Sequence, residues 1–273
     1  MLLSIAFVLL TSANVSAHDG LHEQIIAVTK EIKKDSQNFS LYLKRGELYR
    51  LHQEWKNAER DFNQVEKLNP NLTLVDLGRG KLWLDAQRFS VAKQVLERFL
   101  AKEPNSFEGL LTFARVLARL KETQKAFGYF TQAIVLSPPD SAEIYLERTQ
   151  MLADAGKIDQ ALHGLDEGVE KLGGLVTLQS AAIDLEVRRK NYNAALARLE
   201  KLSAAMPRKE TFLLRRGEIL LQAGRICEAR KNLLESLAGF NSLSSFRKNV
   251  RSVKEQIARL QKLLIDTGAK NCE

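Results

Sequence analysis

The sequence is sparing with residues that punctuate, staple or react. Its 273 residues include two cysteines, five prolines and 15 glycines. Two cysteines cannot hold together a disulfide mini-scaffold, and so little Gly and Pro excludes collagen-like and low-complexity chains. A disordered chain is excluded as well, because 45% of residues are hydrophobic and 27% charged. No GxSxG, Walker loop, CxxC or HExxH occurs, and carboxylates such as Glu47 and Glu54 are scattered along solvated helix faces. A non-enzyme without a cofactor is therefore expected. Acidic residues are in deficit, 33 against 41 basic, which leaves a net charge of +8. The signs nevertheless alternate through Lys44, Arg45, Glu47, Arg50, Glu54, Lys56, Glu59, Arg60 and Asp61. Such mixing, with no DNA- or RNA-binding motif beside it, argues against a nucleic-acid partner.

Charge is also missing from residues 1–17, MLLSIAFVLLTSANVSA. An apolar run from Leu2 to Leu10, broken by Ser4, leads to the small-residue site Val15-Ser16-Ala17, which reads as a secretory signal peptide cleaved after Ala17. The segment is too short and too interrupted to span a bilayer, and no apolar run of spanning length follows it. An exported protein, periplasmic or secreted, is expected; an uncleaved anchor is the alternative, because the basic n-region is absent. In an oxidising compartment Cys227 and Cys272 can form one disulfide, the alternative being two independent thiols. Cleavage would make His18 the first residue. Its amine and imidazole, with His22 four residues on, form a donor set suited to Cu(II), Ni(II) or Zn(II). The competing reading is a flexible end in which Asp19 caps the first helix.

What is present is a clock. Alanines recur at Ala58, Ala92, Ala126, Ala161, Ala195 and Ala229, with spacings of 34, 34, 35, 34 and 34. Around each lies an amphipathic stretch, a short turn and a second amphipathic stretch with the Ala near its start. Pro70, Pro104, Pro138 and Pro207 each fall 12 residues after their Ala, where a helix must end. Gly173-Gly174 takes that part between Ala161 and Ala195. A nearly absent side chain at one crossing lets the second helix of a hairpin close on the first.

In residues 39–72, Tyr42, Gly46, Tyr49, Ala58, Phe62 and Pro70 stand in a register that resembles the tetratricopeptide-repeat family. Residues 73–106 keep Gly80, Trp83, Ala92 and Pro104, and residues 107–140 keep Ala126, Phe130, Ala133 and Pro138. The match is weaker in 142–175 and 176–209, where Thr149 and Ile183 replace the glycine, and recovers in 210–243 with Gly217, Gly224 and Ala229. The resemblance implies an all-α, right-handed α-solenoid of about six helical hairpins, with capping helices at residues 18–38 and 244–273. It further implies a concave face, lined by first helices, that holds another protein or peptide. In register, that lining is Leu43, Glu47 and Arg50, then Leu77, Lys81 and Leu84, then Leu111, Arg115 and Arg119. This is an apolar ladder flanked by mixed charge, with a basic patch at Lys81, Arg115 and Arg119; for each leucine the alternative is packing between neighbouring first helices. It departs from the carboxylate-clamp subgroup, which has Lys and Asn at the fifth and ninth positions.

The ends look like caps, which keep an array from exposing its terminal apolar faces. Leu21, Ile25, Val28 and Ile32 form one stripe. Phe246, Val250, Val253, Ile257, Leu260 and Leu264 form another, opposite a basic face of Arg247, Lys248, Arg251, Lys254, Arg259 and Lys262. A homodimer seam or an acidic-surface contact through the C-terminal helix is the alternative to capping.

Overall fold

A computed structural model describes residues 12–139, 141–204 and 206–268, and every regular element in them is a helix. The chain divides between Pro138 and Pro139 into two compact units. The first holds α1 (Ser12–Lys34) and three hairpins: α2 (Phe39–Leu51) with α3 (Trp55–Leu68), α4 (Leu74–Asp85) with α5 (Phe89–Lys102), and α6 (Phe107–Arg119) with α7 (Thr123–Leu136). The second holds α8 (Ala142–Asp154) with α9 (Ile158–Lys171), α10 (Val176–Arg188) with α11 (Tyr192–Ala204), and α12 (Glu210–Gln222) with α13 (Ile226–Asn241). It ends in α14 (Ser245–Lys248) and α15 (Arg251–Asp266). The fold is an all-α repeat solenoid.

The burial patterns explain the pairing. Second helices bury a single stripe, as α5 does with Ala92, Val95, Leu96 and Phe99 at helical spacing. First helices are enclosed on two sides: α6 packs on α5, α7 and α4, and buries every residue from Gly109 to Ala114 together with Val116 and Leu117. The six clock alanines are all 0% exposed. In three hairpins a glycine of the first helix packs closely on the second. A Cβ on Gly46 would stand 2.8 Å from the Phe62 ring, and one on Gly80 or Gly217 would stand 2.4 or 2.6 Å from Leu96 or Leu233. Where Thr149 and Ile183 occupy that place, the α8/α9 and α10/α11 backbones approach one another less extensively.

Hairpin four buries an arginine. Arg148 is 2% exposed, donates to Glu167 at 2.8 Å and lies over the Tyr145 ring. Gly164 makes the room, since a Cβ there would meet the guanidinium at 3.0 Å.

The ends are closed by apolar stripes. α1 buries Ile25, Val28 and Ile32 against Leu48, with Leu41, Tyr42 and Tyr49 packed around them. The α1 backbone is helical from Ser12, across the expected cleavage point after Ala17, while residues 1–11 lie outside the described residues. The C-terminal stripe is broken. Extended backbone at Val250 separates α14 from α15, leaving Phe246 84% and Val250 44% exposed. Only Val253, Ile257, Leu260 and Leu264 reach the core beneath, built from Leu214, Leu233 and Phe240. That contact occupies the face a dimer seam would use. Arg259 of the expected basic face is spent on Glu218 at 2.6 Å.

Each hairpin turns through one left-handed residue: Gln53, Gln87, Lys121, Gly156, Lys190 and Gly224, all with φ between 59° and 75°. Four of the six carry a Cβ, at a cost of roughly 1–2 kcal/mol in this region. Lys121→Gly is therefore expected to stabilise the protein by about 0.5–1 kcal/mol, and Gly156→Val to destabilise it by about 1–2 kcal/mol, in urea unfolding.

Candidate partner-binding face

In the first unit α2, α4 and α6 lie side by side, α2 on α4 and α4 on α6, so equivalent positions of successive first helices are neighbours. This brings the nine residues read as a lining into one row, but not as an open apolar ladder. Leu77 and Leu111 are 6% and 9% exposed, packed between helices, whereas Leu43 and Leu84 remain half-exposed.

The charges are largely spent on each other. Arg50 donates to Glu47 at 2.8 Å and reaches across to Asp85 of the next hairpin. Burial works against its charge, but Glu47 and Asp85 outweigh that and raise its affinity for the proton above the ordinary guanidinium value. Lys81 binds Glu108 of the following hairpin at 2.6 Å. Arg115 is half-buried, and exposed Arg119 lies over the Phe89 ring at 5.3 Å. The basic patch is thus one neutralised lysine, one half-buried arginine and one arginine stacked on an aromatic ring. Beneath the row Arg45 is the structural hub. It pairs with buried Asp61 through two bonds of 2.7 Å, takes Thr29 of α1 at 3.1 Å and lies over the rings of Tyr42 and Tyr49. Hydrogen bonding to Asp61 outweighs desolvation and raises its pKa.

The second unit offers two pockets absent from the sequence reading. The leucine ladder breaks at Ser180, and the missing volume opens a pocket of about 380 Å³ over Ile183, Leu199, Leu202 and Phe212, with the Asp184–Arg215 ion pair at its rim. Asp166, Glu186, Arg198 and Lys201 line a second opening of about 610 Å³. The Ser in a row of Leu was visible in the register; the charge pairing across hairpins was not, because its partners lie some 30 residues apart.

The metal candidates are split. The His18 side chain lies outside the described residues, and His22 is exposed on α1. The His22 and His52 rings stand 6.2 Å apart, tilted by 35°, and His52 Nδ1 lies 2.8 Å from Glu54 Oε1. The packing of α1 on α2 brings the two rings together. Among the described residues no group of three His, Cys, Asp or Glu side chains is gathered as a metal site. Cys227 is disulfide-bonded; Cys272 lies outside the described residues.

Comparisons with known proteins bear on the fold. A family profile described as tetratricopeptide repeat matches residues 77–141 and 180–242. No curated protein matches the sequence. Among solved structures, a tetratricopeptide repeat protein from Parabacteroides merdae has a TM-score of 0.53 at 15% identity, over 92% of this chain and 96% of its own. The pilF protein of Pseudomonas aeruginosa has a TM-score of 0.53 at 12% identity, over 84% and 99%. YrrB, described as having an unusual peptide-binding site, has a TM-score of 0.50 at 21% identity, over 66% and 93%.

The Asp166–Arg198 bridge, with bonds of 2.5 and 2.8 Å, sets a pH dependence. Hydrogen bonding to Arg198 holds Asp166 below its ordinary pKa of 3.8. A depressed carboxylate contributes stability that is complete above the unfolded value and lost as pH falls through the folded one. The stability gap between wild type and Arg198→Met should therefore be constant near neutrality and shrink as pH falls below 3.8, in acid-dependent urea unfolding.

Proposed function

We propose that this chain, a tetratricopeptide-repeat protein, is an exported, non-catalytic scaffold that holds another protein or a peptide against the first helices of its hairpins. Protein–protein interaction is what the fold provides for. The observation that carries the placement is the row on α2, α4 and α6: half-exposed Leu43 and Leu84, with Arg119 at the edge, set among charges already paired to each other. A partner gains apolar burial there without stripping water from unpaired ions, which favours apolar anchors with a polar rim. YrrB, whose description names a peptide-binding site, shares the architecture. In cross-linked pull-downs from the native envelope, Leu84→Asp/Arg119→Glu should lose partners that wild type and the outer-helix control Arg60→Glu both retain. Equal capture by all three would place the partner elsewhere.

Export is supported by the uncharged, apolar residues 1–17 and by the disulfide-bonded state of Cys227, which reducing cytosol does not sustain. Among the described residues no helix is long and apolar enough to cross a membrane. Intact-mass analysis without reductant should find a chain beginning at His18 and lacking two hydrogens, with Cys227 joined to Cys272. Two free thiols or a retained Met1 would contradict this.

A second reading, metal binding at the mature N-terminus through His18 and His22, is favoured by the approach of His22 to His52. It does not compete for the same surface, since those rings lie on α1 and at the α2–α3 turn.

A further inference from the structure

We propose that the knuckle joining α14 to α15, at the end of the second unit, is a peripheral membrane contact. Phe246 and Val250 enter the headgroup layer of an anionic phospholipid bilayer, and Arg247, Lys248, Arg251 and Lys254 meet its phosphates.

The chain leaves the core at Leu243 and returns to it at Val253, both packed against the cluster of Leu233, Phe240 and Leu260. Between them every residue from Ser244 to Ser252 is exposed except half-buried Lys248. Extended backbone at Ser244 and at Val250 brackets the single turn of α14. Phe246 stands on the outside of this excursion, 84% exposed, with Val250 exposed four residues on. Single exposed apolar side chains are commonplace, but an aromatic and a β-branched residue on one short turn among cations mark a contact surface. The excursion also satisfies its own backbone. Lys248 N–H donates to Ser244 O at 3.0 Å, Asn249 N–H to Ser245 O at 3.2 Å, Val250 N–H to Arg247 O at 3.1 Å and Val253 N–H to Val250 O at 3.0 Å. It can therefore exchange water for headgroups without stranding these peptide donors.

The charge is one-sided here. No carboxylate occurs between Glu235 and Glu255, whereas Arg247, Lys248, Arg251 and Lys254 do. Of these cations Arg251 alone has an acidic partner among the described residues, Glu255 at 2.9 Å, in a pair exposed on both sides. Arg259, further along α15, is taken by buried Glu218 and belongs to the cap. Unpaired cations around an exposed aromatic ring suit a surface with phosphate above and acyl chain beneath. A protein partner suits them less. A stable protein interface takes roughly 20–30 residues a side, and the knuckle offers a short projecting turn. A bilayer needs no such area, because each cation gains from the surface potential on its own.

The test is co-sedimentation of the mature, full-length protein with vesicles of phosphatidylcholine, alone or with about one-third phosphatidylglycerol. Wild type should bind the anionic vesicles only, and release them in about 1 M salt, where the screening length falls to about 3 Å. Arg247→Glu/Lys248→Glu/Lys254→Glu should weaken binding by about 100-fold or more and flatten its salt dependence. The same charge change at Lys30, Lys44 and Lys56, exposed in the first unit, should alter it by less than about 3-fold. Phe246→Ser should weaken binding by about 10-fold with the salt dependence retained. Phe246→Trp should add fluorescence, above that of Trp55 and Trp83, that brominated acyl chains quench. Circular dichroism checks each variant. Should the triple variant unfold, the Phe246 variants decide, since unchanged binding by Phe246→Ser with unquenched Phe246→Trp overturns the proposal. Failure of wild type to bind anionic vesicles overturns it too. So does self-association of wild type that Phe246→Ser abolishes, which would give the knuckle to a second copy of the chain. None of these outcomes bears on the row along α2, α4 and α6.

Discussion

The whole structure depends on the closeness of one helix crossing. Ala58, Ala92, Ala126, Ala161, Ala195 and Ala229 are wholly buried, and Gly46, Gly80 and Gly217 press on Phe62, Leu96 and Leu233 with less space than a methyl group needs. Overpacking such a contact costs about 1–3 kcal/mol, comparable with a sizeable share of a domain's net stability. The crossing therefore fixes the distance between the helices of a hairpin, and with it the length and handedness of the turn that joins them. That is why the left-handed residue returns at the same place in all six hairpins even where the sequence offers Gln or Lys instead of Gly. The turn conformation is imposed by packing at the crossing, and local preference yields to it.

A regular crossing has an electrostatic consequence. Equivalent positions on successive first helices become neighbours, so opposite charges placed one repeat apart meet. Arg50 with Asp85, Lys81 with Glu108 and Arg215 with Asp184 are bridges of this type. Individually such exposed pairs contribute little, roughly 0–1 kcal/mol. Their larger effect is on recognition. Because the ions are already satisfied, they supply register and exclude mismatched charge, and affinity falls to the half-exposed apolar residues between them. On these first helices the charges are thus largely paired rather than gathered in a patch built for an acidic partner.

How much of this was legible depended on whether the controlling contact lay within one repeat. The alanine clock, the prolines and both capping stripes are local patterns, and they pointed to the solenoid without help from coordinates. For Leu77 and Leu111 the register left a ligand surface and packing between first helices equally open; both are buried, because the seam between neighbouring first helices belongs to no single repeat. Arg148 gave no sign of burial, since its enclosure depends on Gly164 and Glu167 in the next helix. The C-terminal stripe looked continuous, yet Val250 adopts extended backbone and turns Phe246 out of it, a break that spacing alone does not encode. His22 and His52 lie 30 residues apart, and their rings come within 6.2 Å only through the docking of α1 on α2.

The ends of a repeat array are its weakest parts, because a terminal unit has one neighbour instead of two and frays at lower cost than the centre. Both ends here carry something beyond an apolar stripe. At the C-terminal side Arg259 pairs with Glu218, and Arg230 donates to the carbonyls of Leu264 and Gly268, so α15 is held by directional bonds as well as by Leu260. On the N-terminal side Arg45 reaches Thr29 from beneath, while His22 and His52 meet at the outer edge. The same logic accounts for the disulfide-bonded Cys227 in the last hairpin. Directional or covalent links at the ends stabilise the array where burial is least able to do so, and leave the interior crossings free to repeat.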